Sequence, residues 1–122
     1  MPRGDFEHSL IYRRLVKAAG HSWAGLQFAW RSEEAFRVEV ILCLFLAPLA
    51  FVLEPSTSGR LWLLSALWWV LMVELLNTAV EKAIDRISSE SHELSKASKD
   101  LGSAAVLMSI LGAVGVWVSV LA

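Results

Sequence analysis

The chain has only one cysteine and no excess of basic residues. Each of these two shortages excludes a class of protein. Cys43 has no partner for a disulfide within the chain, and its place in an apolar run is typical of a packing residue. The 11 lysines and arginines stand against 12 aspartates and glutamates, which gives a formal net charge of −1. Nucleic-acid-binding proteins carry a basic excess, so nucleic acid is not expected as a partner.

What the chain has in quantity is apolar surface. Of its 122 residues, 56% are hydrophobic, and the mean hydropathy is +0.54. A soluble domain this small buries only a modest fraction of its surface, so the composition indicates lipid as the solvent. Three apolar runs approach the roughly 20 residues that a spanning helix needs. They predict an all-α membrane protein, a helical bundle that forms one domain over residues 1–122, with spans at about 36–53, 61–81 and 101–121.

The segments between the apolar runs predict the topology. The first connection, residues 54–60, combines proline, glycine and hydroxyl side chains, as turns do, and its one basic residue is Arg60. The other lysines and arginines lie in the N-terminal segment and in the second connection, residues 81–100. We therefore expect these two segments in the cytoplasm and the C-terminus on the other side. Within the second connection we expect a loop over residues 88–98, with Asp100 as the N-cap of the third span.

Residues 6–34, before the first span, are predicted to form amphipathic surface helices. Ile11 and Leu15 share one helical face, and after Gly20 the residues Trp23 and Trp30 continue at helical spacing. A basic polar face and interfacial tryptophans are typical of helices that lie on a membrane leaflet. We therefore predict two surface helices, one on each side of Gly20, rather than helices packed on the bundle.

The strongest signal for chemistry is a polar stripe formed by Glu74, Asn77, Glu81 and Asp85. A helix turns by about 100° per residue, which places these four side chains within about 80° of one another. A charge at the bilayer centre costs roughly 2.5–3.5 kcal/mol on insertion scales, and like charges on one helix face repel. A divalent cation such as Mg²⁺ would offset both costs. We interpret the stripe as a functional site rather than as polar contacts between helices.

Two further clusters extend this pattern. Glu33 and Glu39 flank the start of the first span, at the same predicted depth as Glu81, and Glu33 could complete a metal site. Lys96 and Lys99 gather with three serines where the third span begins, and helix N-termini and lysines attract phosphate. The cluster is not a Walker A loop, because the spaced glycines are missing. Beside the acidic stripe, it predicts a site for a metal–nucleotide complex.

Short sequence blocks over nearly the whole chain occur in the order of a known family. They are KAAG at 17–20, SW at 22–23, GL at 25–26, AFR at 35–37 with Glu33 and Glu39, VELLN at 73–77 with Glu81, DRI at 85–87, HELS at 92–95 and KDLGSAAV at 99–106. Val38 departs from the pattern, because the family has a polar residue there. In these blocks the chain resembles the small bacterial integral-membrane diacylglycerol kinases. The resemblance implies a homotrimer of three-span subunits in the bacterial inner membrane, with each site built from more than one subunit. It also implies transfer of the γ-phosphate of MgATP to the hydroxyl group of diacylglycerol, which gives phosphatidate.

The resemblance further implies roles for individual residues. Glu74 would be the general base for the lipid hydroxyl, and Glu33 and Glu81 would hold Mg²⁺. The residues implied to contact ATP are Lys99, Asp100, Asn77, Asp85, His92, His21 and Arg14. Those implied to contact the lipid substrate are Glu39, Ser103, Trp23 and Ala35. His21 stands where the best-matching members of the family have tyrosine.

Two other functions fit part of the sequence. A kinase of the same fold that phosphorylates undecaprenol would use the same site with a different acceptor. A proton- or cation-conducting oligomer would use Glu74 as an intramembrane carrier, but it would leave Glu33, Lys99 and Asp100 without a role. Transfer of phosphate from ATP separates both kinases from the conductor, and the lipid that is labelled separates the kinases.

Overall fold

The computed structural model describes residues 3–87 and 90–122, and within these ranges the chain forms α-helices and no strand. The helices are α1 (Arg3–Ser32), α2 (Glu34–Leu53), α3 (Thr57–Ile87) and α4 (Glu93–Leu121). They fall into two compact units, the first ending at Glu33 and the second beginning at Glu34. The predicted all-α class is confirmed.

Within the first unit, Arg3–Ser32 forms one uninterrupted helix of 30 residues, so the prediction of two surface helices separated at Gly20 is wrong. Glycine inside a helix costs about 1 kcal/mol relative to alanine, but it does not end the helix. At about 100° per residue, Ile11 and Leu15 share a broad face with Trp23 and Trp30, so a single helix satisfies both apolar patterns. All four side chains are exposed. The placement of this helix on a membrane surface stays a prediction.

The second unit contains α2, α3 and α4, each long and apolar enough to cross a membrane, which confirms the three predicted spans. α3 packs against both α2 and α4 and therefore forms the centre of the unit. Its buried residues Leu63, Ala66 and Val70 recur every three or four positions, which is the spacing of one helical face. Ala50 of α2 is fully buried, and small residues of this kind let spanning helices approach closely.

The observed helix ends differ from the predicted ones at the start of α4. This helix begins at Glu93, so the loop predicted over 88–98 is wrong from residue 93 onward; residues 88 and 89 lie outside the described ranges. The N-cap is His92, whose Nδ1 atom accepts a hydrogen bond from the amide of Leu94 at 3.0 Å. Asp100, the predicted N-cap, lies about two turns inside the helix. The imidazole supplies the acceptor that a helix start requires, so the helix can begin earlier.

The connection between α2 and α3 is a short turn held by polar contacts, as predicted. Oε1 of Glu54 accepts hydrogen bonds from the amide of Ser56 at 3.0 Å and from its hydroxyl at 2.7 Å. The hydroxyl oxygen of Ser56 in turn accepts a hydrogen bond from the amide of Gly59 at 3.0 Å. Arg60 donates to the carbonyl oxygens of Glu54 at 2.6 Å and Phe51 at 3.1 Å. These contacts satisfy backbone groups that have no partner at helix ends.

Candidate active site

The polar stripe lies on the C-terminal half of α3, which is one continuous helix. Glu74, Asn77, Glu81 and Asp85 therefore keep the angular spacing that the sequence predicts. With a rise of about 1.5 Å per residue, the stripe extends roughly 16 Å along the helix axis. Glu74 at one end is only 5% exposed, whereas Asp85 at the other end is exposed. The stripe thus leads from a buried carboxyl group to one in contact with solvent.

α2 supplies a second carboxyl group at the buried end of the stripe. The carboxyl group of Glu39 lies close to that of Glu74, and the Oε2 atom of Glu39 is buried with no hydrogen-bond partner among the described residues. The resemblance implies a lipid contact for Glu39, and the sequence did not predict its proximity to Glu74, because the two residues belong to different helices.

Asn77 occupies the middle of the stripe, between Glu81 and α4. Its Nδ2 atom lies 3.5 Å from Oε1 of Glu81, which is a long hydrogen bond. Its Oδ1 atom is buried and has no hydrogen-bond partner in the described part of the chain. That oxygen faces Gly102 of α4, where a Cβ atom would overlap with it. α4 thus approaches the stripe through a residue that has no side chain.

At the exposed end of the stripe, α4 contributes a lysine. Nζ of Lys99 lies 2.7 Å from Oδ1 of Asp85, so this ion pair joins α4 to α3. A second pair, between Nζ of Lys96 and Oδ2 of Asp100 at 2.6 Å, stays within α4 at i,i+4 spacing. The lysine ammonium group has three donors. Lys99 can therefore hold Asp85 and a phosphate oxygen at the same time.

These side chains border an open cavity of about 560 Å³ beside the start of α4. Four residues that the resemblance assigns to ATP line it, namely Asp85, His92, Lys99 and Asp100. Five other lining residues had no assigned contact, namely Ile84, Glu90, Ser91, Ser95 and Lys96. Two of these, Ser95 and Lys96, belong to the cluster of hydroxyl and basic side chains that the sequence already shows. Ile84, Glu90 and Ser91 lie outside that cluster, so nothing in the sequence pattern marked them as part of a site.

A second cavity, of about 390 Å³, is apolar and lies among α2, α3 and α4. Glu39 is its one acidic lining residue, and Cys43, Val70 and Trp117 are among the others. The indole N–H of Trp117 donates a hydrogen bond to the carbonyl oxygen of Leu63 at 3.2 Å, which fixes α4 against α3. Glu39 therefore belongs both to the carboxyl pair and to this apolar groove.

The remaining predicted site residues lie elsewhere in the chain. Arg14, His21, Trp23 and Glu33 belong to the first unit, and their roles stay predictions. Ala35 on α2 and Ser103 on α4 are exposed and line neither cavity. The lipid contacts that the resemblance implies for these two residues stay predictions as well.

The described ranges contain no group of three or more histidine, cysteine, aspartate or glutamate side chains that could hold a metal ion. Binding of Mg²⁺ does not require such a group, because this ion is usually bound through one or two carboxylates together with substrate phosphates and water. Glu81, a half-buried carboxylate beside the Asn77 amide, is a suitable ligand for such a hard cation.

Comparison with known proteins places the chain in a family. Residues 20–121 match the family model described as prokaryotic diacylglycerol kinase. The chain is 47% identical to the diacylglycerol kinase of Escherichia coli K12 over 106 residues, which cover 87% of each protein. It is 41% identical over 121 residues to the diacylglycerol kinase of Pseudomonas aeruginosa, covering 99% of this chain and 98% of the relative. The chain belongs to the prokaryotic diacylglycerol kinase family.

Proposed function

We propose that this chain transfers the γ-phosphate of ATP to the free hydroxyl group of diacylglycerol, which gives phosphatidate and ADP. The observation that carries the proposal is the stripe on α3, which joins the buried carboxyl group of Glu74 to the cavity beside Lys99. The cavity volume of about 560 Å³ lies within the range of small-molecule sites, roughly 300–1,000 Å³. The names of the relatives support diacylglycerol as the acceptor.

ATP is proposed to bind in the cavity beside the start of α4. Phosphoryl transfer depends mainly on positioning and on neutralising the charge of the phosphate oxygens. Lys99 and Lys96 supply positive charge at this cavity, and the first turn of α4 adds the partial positive charge of a helix N-terminus. His92 and Asp100 would orient the nucleotide. Contacts from Arg14 and His21 of the first unit are part of the same proposal.

Glu74 is proposed as the general base. It lies seven residues before Glu81, which is roughly 10 Å deeper along α3. The hydroxyl group of diacylglycerol approaches from the membrane, so a base on the buried side of the phosphate site meets this acceptor. Glu74 would accept the hydroxyl proton as the oxygen attacks the γ-phosphorus and ADP leaves. The nearby carboxyl group of Glu39 would help to hold the Glu74 carboxyl group in place.

Glu33 and Glu81 are proposed to hold Mg²⁺ when MgATP binds. When bound, the ion would neutralise part of the charge on the phosphate oxygens of the nucleotide. The amide of Asn77, 3.5 Å from Oε1 of Glu81, would orient that carboxylate. The acyl chains are proposed to use the apolar groove that reaches Glu39. Ala35, Ser103 and Trp23 would border the lipid at the membrane surface.

The chain is a multi-pass membrane protein, and we propose that it works as a homotrimer in the bacterial inner membrane. Within one chain, only 11%, 28% and 6% of the most apolar segments of α2, α3 and α4 are buried. Much of the span surface is therefore left for lipid or for other copies of the chain. The distribution of lysine and arginine supports a cytoplasmic N-terminus and a C-terminus on the other side. Cross-linking in detergent micelles tests the trimer.

Transfer of label from radioactive MgATP tests the kinase, with purified protein in mixed micelles that contain either diacylglycerol or undecaprenol. We expect label in phosphatidate. Label only in undecaprenyl phosphate would keep the phosphoryl-transfer chemistry and change the acceptor. Label in neither lipid, from folded protein, would refute the kinase and favour the conductor. Proton flux into vesicles that contain the protein would then test Glu74 as a carrier.

The variant Glu74→Gln tests the base. Glutamine has nearly the same shape, but it cannot accept the hydroxyl proton. General base catalysis contributes about 10²- to 10⁴-fold, so we expect a loss of at least about 100-fold in kcat with the oligomer intact. Glu7→Gln, at an exposed position on α1, is the matched control. Near-normal activity of Glu74→Gln would remove Glu74 as the base.

A further inference from the structure

α4 meets the polar stripe at one glycine. An ideal Cβ atom on Gly102 would lie 3.3 Å from Cγ of Asn77 and would overlap with Oδ1 of the same side chain. The hydrogen atom that Gly102 carries in place of Cβ therefore points at this oxygen, and a Cα–H group is a weak hydrogen-bond donor to a carbonyl oxygen. The oxygen is buried and has no other partner in the described ranges.

The other glycines of α4 are different. A Cβ atom on Gly112 or Gly115 would meet nothing within 4 Å. These three glycines share one helix, and in the described chain only Gly102 is tied to a side chain of the stripe. If α4 packed closely along its whole length through small residues, Gly112 and Gly115 would also have close neighbours, so such packing does not explain the contact between Gly102 and Asn77. The contact is specific to the level of Asn77, between the buried Glu74 and the proposed metal ligand Glu81.

We propose that Gly102 is a positioning residue, which orients the Asn77 amide so that its Nδ2 atom faces the Glu81 carboxylate. This inference rests on the proposed function, in which Glu81 holds the cation of the metal–nucleotide complex. The absence of a side chain at 102 lets the Asn77 oxygen occupy the space beside α4. The amide nitrogen then lies 3.5 Å from Oε1 of Glu81.

The rigidity of the carboxamide group couples the two ends of this contact. The Asn77 side chain has only two rotatable bonds, and its amide group is planar. A methyl group at position 102 would force the oxygen aside, and the nitrogen would have to move with it. The expected consequence of Gly102→Ala is therefore a misplaced Glu81 carboxylate, with the helices still packed, because the displaced atom is the end of a side chain and not backbone.

The proposal can be tested independently of catalysis by measuring how tightly the full-length protein binds Mn²⁺. Electron paramagnetic resonance detects the bound Mn²⁺, and a non-hydrolysable ATP analogue is present so that the metal–nucleotide complex can form. The variants are Gly102→Ala, Asn77→Ala and the double variant, with Gly112→Ala as the matched control. We expect Gly102→Ala to weaken Mn²⁺ binding at least fivefold and Gly112→Ala to leave it unchanged. The effect of Gly102→Ala should disappear in the Asn77→Ala background, because interacting residues give non-additive effects in a double-mutant cycle.

Unchanged Mn²⁺ binding in folded Gly102→Ala would overturn the proposal, and so would losses that simply add in the double variant. If Gly102→Ala does not fold, the double variant decides, because Asn77→Ala removes the atoms that clash. It should then fold and bind Mn²⁺ as Asn77→Ala does, and weaker binding would contradict the inference. Failure of the proposed function would give a different result. The unaltered protein would then produce no labelled phosphatidate, while the Mn²⁺ affinities of the four variants could still be measured and compared.

Discussion

The variant Lys99→Met separates a catalytic contribution from a structural one. Nζ of Lys99 lies 2.7 Å from Oδ1 of Asp85, and the two side chains are 45% and 56% exposed. An exposed ion pair is worth about 0–1 kcal/mol, because solvent screens the charges and the side chains lose freedom when they pair. Methionine keeps the apolar stem of the lysine. The substitution should therefore change the free energy of unfolding by less than about 1 kcal/mol.

The expected effect on catalysis is larger. A hydrogen bond to a charged group contributes about 1.5–3 kcal/mol. At about 1.4 kcal/mol for each factor of ten, losing one such bond from Lys99 to a phosphate oxygen lowers kcat/KM for ATP by roughly 10- to 150-fold. Lys96 lines the same cavity but pairs with Asp100 inside α4, so Lys96→Met should cost less than Lys99→Met. The two lysines thus provide a comparison at equal charge in one cavity, although the Lys96 side chain is more exposed, at 79% against 45% for Lys99.

Initial rates of phosphatidate labelling at varied ATP concentration measure kcat/KM, and thermal unfolding in the same micelles measures stability. We expect a loss of at least tenfold in kcat/KM for Lys99→Met, with an almost unchanged unfolding temperature. Activity above half of the unaltered rate would refute Lys99 as a phosphate ligand. A large fall in unfolding temperature would show that the contact with Asp85 is structural, contrary to the exposure of both groups.

Two further predictions concern stability. Trp117→Phe removes the hydrogen bond to the Leu63 carbonyl oxygen. It should lower the free energy of unfolding by about 0.6 kcal/mol, the average contribution of a hydrogen bond between spanning helices. Equilibrium unfolding in mixed micelles measures this change, and an unchanged free energy would mean that the indole ring only fills space. In the α2–α3 turn, the hydrogen bonds from the Ser56 hydroxyl and amide hold the pKa of Glu54 below its usual range. Because the folded pKa is lowered, the stabilisation is complete above the usual glutamate pKa and is lost as pH falls through the folded value. Unfolding scans from about pH 7 to about pH 3 should show this loss, and Glu54→Gln should show a smaller one; equal loss in both proteins would refute the role of Glu54.

The sequence predicts the features that depend on one helix. The length and apolarity of the runs predict the three spans, and the 3.6-residue period places Glu74, Glu81 and Asp85 on one face of α3. Both results survive in the structure because a continuous helix leaves no freedom in the angular order of its side chains. The two surface helices predicted on either side of Gly20 were wrong for a related reason: one period runs through both halves, and glycine weakens a helix without ending it.

The features that depend on two helices were not predictable from the chain alone. The proximity of Glu39 to Glu74 and the contact of Gly102 with Asn77 require the register of α2 and α4 against α3, which a single sequence does not specify. The early start of α4 depends on a histidine as N-cap. Histidine is a less common N-cap than serine, threonine or aspartate, so Asp100 was the stronger candidate from the residue type.

The order of groups along α3 explains how so short a chain can hold a phosphoryl-transfer site. The proposed acceptor arrives from lipid and the nucleotide from water, so the groups that serve them must be separated along the membrane normal. On one helix this separation is fixed by a rise of about 1.5 Å per residue. Glu74 at the buried end, Glu81 in the middle and Asp85 at the exposed end therefore stay in register without any loop to place them. Sites built on helices hold their geometry more closely than sites on loops. α2 and α4 then need to add only what α3 lacks, a carboxyl group beside the proposed base and a cation for the proposed phosphate site.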